Sequence, residues 1–394
     1  MVQAAFSEDG HSGGLLSGPK SSVLIVDDSV VARGLFSRWV SEHPRLTVVG
    51  TAADGVNGIR AADRHKPAII ILDLDMPVMD GLTALPEILK VSPSSAVVIA
   101  SSLTARSARL TLQCLTLGAL DLQPKPENNR DLTMSLTFRE ELMARLVGLI
   151  DPAQTGRRRH TAGETSAPAT PRASPALVQP IQPDHHILPL EVAPRALLIG
   201  ASTGGPRAVM TLLDDLGDAC DHFPVIVAQH MPAMFTAALA DQMTTRLGRQ
   251  AREASHGEVP QPGRIYIAPG GRHLRLTKSD GQVRMRLEDS APVNFCRPSI
   301  DLVFGDAAAA YGASALAVVL TGMGTDGLEG ARLLHQSGAR IIAQDEATSV
   351  VWGMPGAVSR QGIAHHVLPL PGIGPAIRAA VTRPSLHILA GARR

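Results

Sequence analysis

Short apolar, β-branched runs recur along the chain, each followed by a longer stretch in which apolar residues return with helical spacing. Between residue 21 and about 150 the runs fall at 23–26, 46–50, 69–72, 97–100 and 120–123. Continuous apolar runs suit strands covered on both faces, and helical segments of crossover length suit parallel neighbours. This part of the chain is therefore predicted to form a parallel, doubly wound α/β sheet, with its first helix starting at Ser29 and its fourth at about Ala105. A second series begins at 195–200 and continues at 225–228, 264–268, 315–320 and 341–343, with helical stretches at 206–216 and 327–336. Near 274–287, alternation of Leu274, Leu276, Val283, Met285 and Leu287 around Ser279-Asp280-Gly281 predicts an added β-hairpin. The fold class is thus two doubly wound parallel-sheet α/β domains, sharing an architecture but no sequence repeat.

The segments between these series differ in character. Residues 1–20 are polar and Gly/Ser-rich and are expected to form a disordered leader. Residues 151–194 hold eight prolines among Ala, Thr, Ser and Gln, so an extended linker is expected there. The predicted organisation is a leader at 1–20, a first domain at 21–140, a helix end and Pro-rich linker at 141–194, a second domain at 195–385 and a tail at 386–394.

Composition narrows the function. A net charge of +1 and an aromatic content of 3% give neither the basic surface nor the stacking platforms that nucleic-acid binding needs. Cys114, Cys220 and Cys296 are far apart with no CxxC pair, which argues against disulfides and structural zinc and fits a reducing cytosol. No apolar stretch has the length to span a bilayer.

Two groups of polar residues follow strand-like runs. In the first domain, Asp27-Asp28 and Asp73 would bring carboxylates close together, an arrangement that needs a cation; an all-oxygen set with room for water suits Mg²⁺. Asp73 could then accept a phosphoryl group, with Ser101 and Lys125 at the next two strand ends bonding and neutralising it. The segments Val26-Asp27-Asp28-Ser29, Asp73-Leu74-Asp75-Met76-Pro77 with Met79-Asp80-Gly81, and Lys125-Pro126 resemble those of two-component receiver domains. The resemblance implies a flavodoxin-like sheet and phosphorylation of Asp73. Leu122 stands where many receivers carry a switching aromatic, and Asp75 reads as a surface loop acid.

In the second domain, Gly200-Ala201-Ser202-Thr203-Gly204-Gly205, Gln229-His230-Met231-Pro232 and Thr321-Gly322-Met323-Gly324-Thr325-Asp326-Gly327 place a serine, a histidine and an aspartate after separate runs. Strand ends of an α/β sheet converge in one crevice, so Ser202, His230 and Asp326 could act as nucleophile, base and orienter. Pro206 suits the first turn of a helix, and a backbone N–H near Met323 could face an oxyanion. The glycine-rich segment alone equally suits a dinucleotide loop of the short-chain dehydrogenase kind. That kind needs Tyr-x-x-x-Lys, and the chain has Gly270 four residues after Tyr266 and Ala315 four after Tyr311. His185-His186 and His365-His366 lack partners at metal-ligand spacing, and Arg157 to Arg159 reads as a solvated cluster.

All three segments, with Asn294-Phe295-Cys296-Arg297-Pro298-Ser299-Ile300-Asp301 and Ala343-Gln344-Asp345-Glu346, resemble the catalytic domain of the chemotaxis protein-glutamate methylesterases. That family's order is also receiver, linker, catalytic domain. The resemblance implies a Rossmann-like catalytic domain with Ser202 as nucleophile, His230 as base, Asp326 as orienter, and Thr203 and Met323 assisting at the oxyanion. It implies Mg²⁺ for phosphorylation, no cofactor for hydrolysis, chemoreceptor helices as substrate, a histidine kinase as phosphodonor, and a cytoplasmic monomer. Ser299 is expected to cap a helix after Pro298. A phosphorylation-gated binding module and an esterase for small metabolites are the rival functions.

Overall fold

The computed structural model describes residues 20–126, 136–150 and 192–382. The expected leader, most of the linker and the tail lie outside the described residues.

The first domain contains β1 (Ser21–Val26), β2 (Leu46–Ala52), β3 (Ile69–Asp73), β4 (Ala96–Ser102) and β5 (Asp121–Lys125). They form one parallel sheet in the order β2-β1-β3-β4-β5. Its helices are α1 (Val30–Glu42), α2 (Gly55–His65), α3 (Gly81–Val91), α4 (Ala105–Leu117) and α5 (Leu136–Ile150). Each of the first four starts where a side-chain oxygen accepts a free N–H of the opening turn. Ser29 caps α1, Asp54 caps α2, Asp80 caps α3 and Thr104 caps α4. Helix α5 runs through position 140, the expected end of the domain. It lays Phe138, Leu142 and Leu146 on α1, where the rings of Phe36, Trp39 and Phe138 meet with centroids 5.8–6.0 Å apart.

The second domain contains β6 (Ala196–Ala201), α6 (Gly205–Leu216), β7 (Val225–Gln229), α7 (Ala233–Leu247), β8 (Ala251–Glu253), β9 (Ile265–Ile267), β10 (His273–Ser279), β11 (Gln282–Glu288), α8 (Ile300–Tyr311), β12 (Ala315–Val319), α9 (Leu328–Gln336), β13 (Arg340–Gln344), α10 (Met354–Arg360), β14 (His366–Leu368) and α11 (Leu370–Thr382). Seven strands form a parallel sheet in the order β14-β13-β12-β6-β7-β9-β8. The expected hairpin is β10–β11, in register from His273↔Glu288 to Ser279↔Gln282 and turning at Asp280-Gly281 with both residues at positive φ. Edge strands β8 and β14 have three residues each, too few to leave a periodic signature.

The two domains share one apolar body. Leu112 and Leu115 of α4 belong to the same buried cluster as Met210 of α6 and Leu239 of α7, and Gln242 of α7 donates to Thr116 at 3.0 Å. On the other flank Val351 lies in the cluster of Phe138 and Leu142, with Met323 and Val350 packed against it.

Candidate functional site

Both groups of polar residues sit where a doubly wound sheet opens a crevice, between adjacent strands whose connections leave in opposite directions. In the first sheet that place lies between β1 and β3. Asp27 and Asp28 follow β1 and Asp73 ends β3, and carboxylate oxygens of the three all lie within 4.8 Å of one another. Lys125 Nζ reaches Asp73 Oδ1 at 2.8 Å and Asp27 Oδ2 at 3.1 Å. Backbone N–H groups of Ser29 and Leu74 donate to Asp27 and Asp73. Burial, only partly offset by Lys125 and reinforced by the charge of Asp27, pushes the Asp73 carboxyl up to about 6. Burial alone would lower Lys125, but the two carboxylates hold it above its ordinary value. Ser101 Oγ is buried at the end of β4 with no hydrogen-bond partner among the described residues, a polar atom ready for a ligand. Asp75 is exposed, and Leu122 is buried.

In the second sheet the opening lies between β12 and β6, with β7 next in line. Ser202 follows β6, His230 follows β7 and Asp326 lies in the loop after β12, so three neighbouring strands deliver the three side chains. His230 Nε2 and Asp326 Oδ2 are 2.8 Å apart. The backbones carrying serine and histidine are tied together: His230 N–H donates to Ala201 O, and Gln229 Nε2 donates to Ser202 O at 2.9 Å and to His230 O at 3.3 Å. Ser202 N–H donates to Thr321 O, which brings the loop after β12 against the serine. That approach requires glycine at 322, because a Cβ there would stand 2.8 Å from Ser202 Cβ. Among the described residues no hydrogen bond joins Ser202 Oγ to the ring; His230 Nδ1 faces Cys296 Sγ at 3.6 Å.

Asp326 is held from every side. Ser299 Oγ donates to Oδ1 at 2.9 Å, Ile300 N–H to Oδ2 at 2.7 Å, and Asp301 N–H and Asn294 Nδ2 to Oδ1 at 3.3 Å each. Its carboxylate therefore caps the amino terminus of α8, where the helix dipole also favours negative charge. Burial opposes ionisation, but His230 and these donors bring Asp326 down to about 2. Asp301 moves oppositely, pushed up to about 6 by burial and by the charge of Asp326. Burial alone would weaken His230 as a base; bonds to Asp326 and Cys296 overcome it and push the imidazole up to about 9.

Thr203 and Met323 both face the first domain. Thr203 Oγ1 donates to Asp121 Oδ2 at 2.9 Å, and Arg145 of α5 pairs with the same oxygen at 2.8 Å. Met323 packs against the cluster that includes Phe138. Ser299 precedes α8 as expected, but its hydroxyl makes no capping bond and is spent on Asp326. Sequence reasoning gave no role to Gln229, Cys296 or Asp121. The first two lie inside segments already singled out, whereas Asp121 carries no local signal.

Residues 197–377 match the CheB methylesterase family, and residues 23–137 match the response regulator receiver domain. The protein-glutamate methylesterase/protein-glutamine glutaminase of Rhodopseudomonas palustris strain BisB5 is 43% identical over 362 residues, covering 90% of this chain and 92% of that protein. The protein of the same description from Maricaulis maris strain MCS10 is 41% identical, with 90% and 94% covered. The CheB methylesterase catalytic domain of Thermotoga maritima, a crystal structure, is 39% identical, with 48% of this chain and 98% of that chain covered and a TM-score of 0.46.

Proposed function

The chain belongs to the CheB methylesterase family, as a receiver domain joined to a methylesterase domain, and from that premise we propose that it hydrolyses glutamate γ-methyl esters on chemoreceptor helices under phosphorylation control. The observation that carries the reading is the delivery of Ser202, His230 and Asp326 by three adjacent strands to one crevice, with His230 bonded to Asp326 at 2.8 Å.

Ser202 Oγ attacks the ester carbonyl carbon while its proton passes to Nδ1 of His230, the ring nitrogen not engaged by Asp326. A small movement of Cys296 frees that nitrogen. Asp326 stabilises the imidazolium, and Thr203 and Met323 assist at the oxyanion, helped by the amino terminus of α6. Methanol leaves with the proton from His230, and water releases the glutamate carboxylate from Ser202. Ammonia leaving in place of methanol makes the same route a glutaminase. The hydrolytic steps call on no cofactor.

In the receiver, Asp27, Asp28 and Asp73 would hold Mg²⁺; the clustered carboxylate oxygens and the unpartnered Ser101 Oγ support that fit. The ion would neutralise the site for phosphoryl transfer from a histidine kinase. Asp73 accepts the group, and Ser101 and Lys125 contact it. The unphosphorylated receiver holds the catalytic crevice through Asp121, Arg145 and α5, and phosphorylation loosens that hold. No helix among the described residues is long and apolar enough to cross a membrane, and the three free thiols suit a cytoplasmic protein.

Methanol release from a methylated receptor fragment, with and without a small phosphodonor, tests the reading. Wild type should release methanol faster with the phosphodonor; Asp73→Asn should keep basal turnover and lose the stimulation. Ser202→Ala should lower kcat by several powers of ten. Turnover unaffected by Ser202→Ala, or stimulation intact in Asp73→Asn, overturns the assignment.

A further inference from the structure

Beside the crivice mouth a two-residue turn holds a residue that its backbone does not favour. Asn294 and Phe295 sit at the tip of a bridge between Val293 and Cys296, closed by bonds of 2.8 and 3.1 Å, with φ values of 51° and 62°. Both central residues therefore lie in the left-handed region, as in the tight hairpin turns that favour Asn followed by Gly. Asn294 fits; Phe295 stands where glycine would be relaxed, and a bulky side chain at positive φ is a true outlier. Its ring is not buried in compensation. At 103% relative exposure Phe295 is the most exposed of the large apolar side chains among the described residues.

The turn is anchored to the catalytic groups on both sides of the ring. Asn294 Nδ2 donates to Asp301 and Asp326, and Cys296 Sγ lies 3.6 Å from His230 Nδ1. Backbone strain combined with an unburied ring, fixed between the neighbours of base and orienter, is what a residue kept for an intermolecular contact looks like. The receiver leaves it uncovered in the closed arrangement, so the ring is available before the crevice opens. Arg297, exposed two positions further on, adds positive charge to the same loop.

On the reading that the substrate is a glutamate ester on a receptor helix, we propose that Phe295 is a specificity-determining residue: it seats against an apolar side chain on the substrate helix while the ester enters the crevice. Residues three or four apart on a helix are surface neighbours, so the apolar side chain lies one turn from the target glutamate. Arg297 suits the other carboxylates of such a helix.

Wild type, Phe295→Gly and Phe295→Tyr, all as the full chain, are compared on a methylated receptor fragment and on free glutamate γ-methyl ester. For Phe295→Gly the ratio of the two kcat/KM values should fall about tenfold in disfavour of the receptor, carried by KM, while its thermal midpoint equals or exceeds that of wild type because glycine relaxes the turn. Phe295→Tyr, which keeps the ring and the strain, should restore the ratio. An unchanged ratio in Phe295→Gly, or receptor and free-ester turnover falling equally, overturns the anchor and leaves the methylesterase reading standing. Wild type that cleaves the free ester but not the receptor rejects the receptor reading, and the anchor with it.

Discussion

His230 carries two opposed effects of burial. Desolvation removes charge from a ring, yet a carboxylate on one face and a thiol on the other make the protonated form the stable one, up to about pH 9. In the proposed mechanism His230 is the base and must be neutral to accept a proton, so hydrolysis in the closed protein is expected to rise with pH through an apparent pKa near 9, well above the ~6.5 of a free imidazole. Stability runs the other way. The folded pKa exceeds the unfolded one, so the contribution of His230 to stability is complete below about pH 6.5 and is lost as pH rises through 9. A pH–rate profile on a small ester, with thermal midpoints over the same range, measures both; Cys296→Ala should move the kinetic midpoint down. A profile flat above pH 7 would mean that the thiol and the carboxylate do not act on the ring as described. At this scale the placement of the serine, histidine and aspartate was legible, because each follows an apolar run that ends at one edge of the sheet. The partners of Asp326 were not, because Ser299 before a helix reads as a cap, and only the fold brings the Asp326 loop to the same helix end.

Helix α8 is the element on which Asp326 depends: its amino terminus binds the carboxylate, and α9, which begins just after Asp326, packs across it. The closest approach is at Gly330, where a Cβ would lie 2.6 Å from Phe304 Cβ and 2.7 Å from the carbonyl oxygen of Asp301. Gly330 N–H also donates to Asp301 Oδ1 at 2.8 Å. Gly330→Ala cannot be accommodated by a side-chain rotation alone, because a backbone oxygen is among the atoms met. It should destabilise the domain by about 1–3 kcal/mol, read from urea unfolding, and lower ester hydrolysis by displacing Asp326 from its donors. Wild-type unfolding and activity would remove the close packing from the account of the site. The central strands were legible as continuous apolar runs because both faces of the sheet are covered. Strands β8 and β14 were not, since three residues at a sheet edge carry no period, and the α8–α9 contact depends on a glycine whose neighbours are distant in sequence.

Among the described residues the receiver meets the catalytic crevice through few polar contacts, and one carboxylate is central to them. Asp121 opens strand β5, whose other end carries Lys125 beside Asp73, the proposed phosphoryl acceptor, and it accepts both Thr203 Oγ1 and Arg145. A displacement of β5 at Lys125 thus reaches Thr203 through one short strand. None of this could be read from the chain, because Asp121 lies in a stretch with no motif and the apposition of two separately folded units leaves no periodic trace. Asp121→Ala removes the acceptor of Thr203, a contact that only the closed form makes, whereas the Arg145 pair lies within the receiver and is lost from both forms, so the closed form loses more than the open one by the Thr203 bond. Each ~1.4 kcal/mol of that difference shifts the balance tenfold toward the open form. Methanol release without a phosphodonor is therefore expected to rise severalfold to tenfold in Asp121→Ala, and the further gain from a phosphodonor to shrink correspondingly, with the activated rate close to that of wild type. Basal release unchanged, with full stimulation retained, would mean that closure is held by the apolar contacts of α4 and α5 alone.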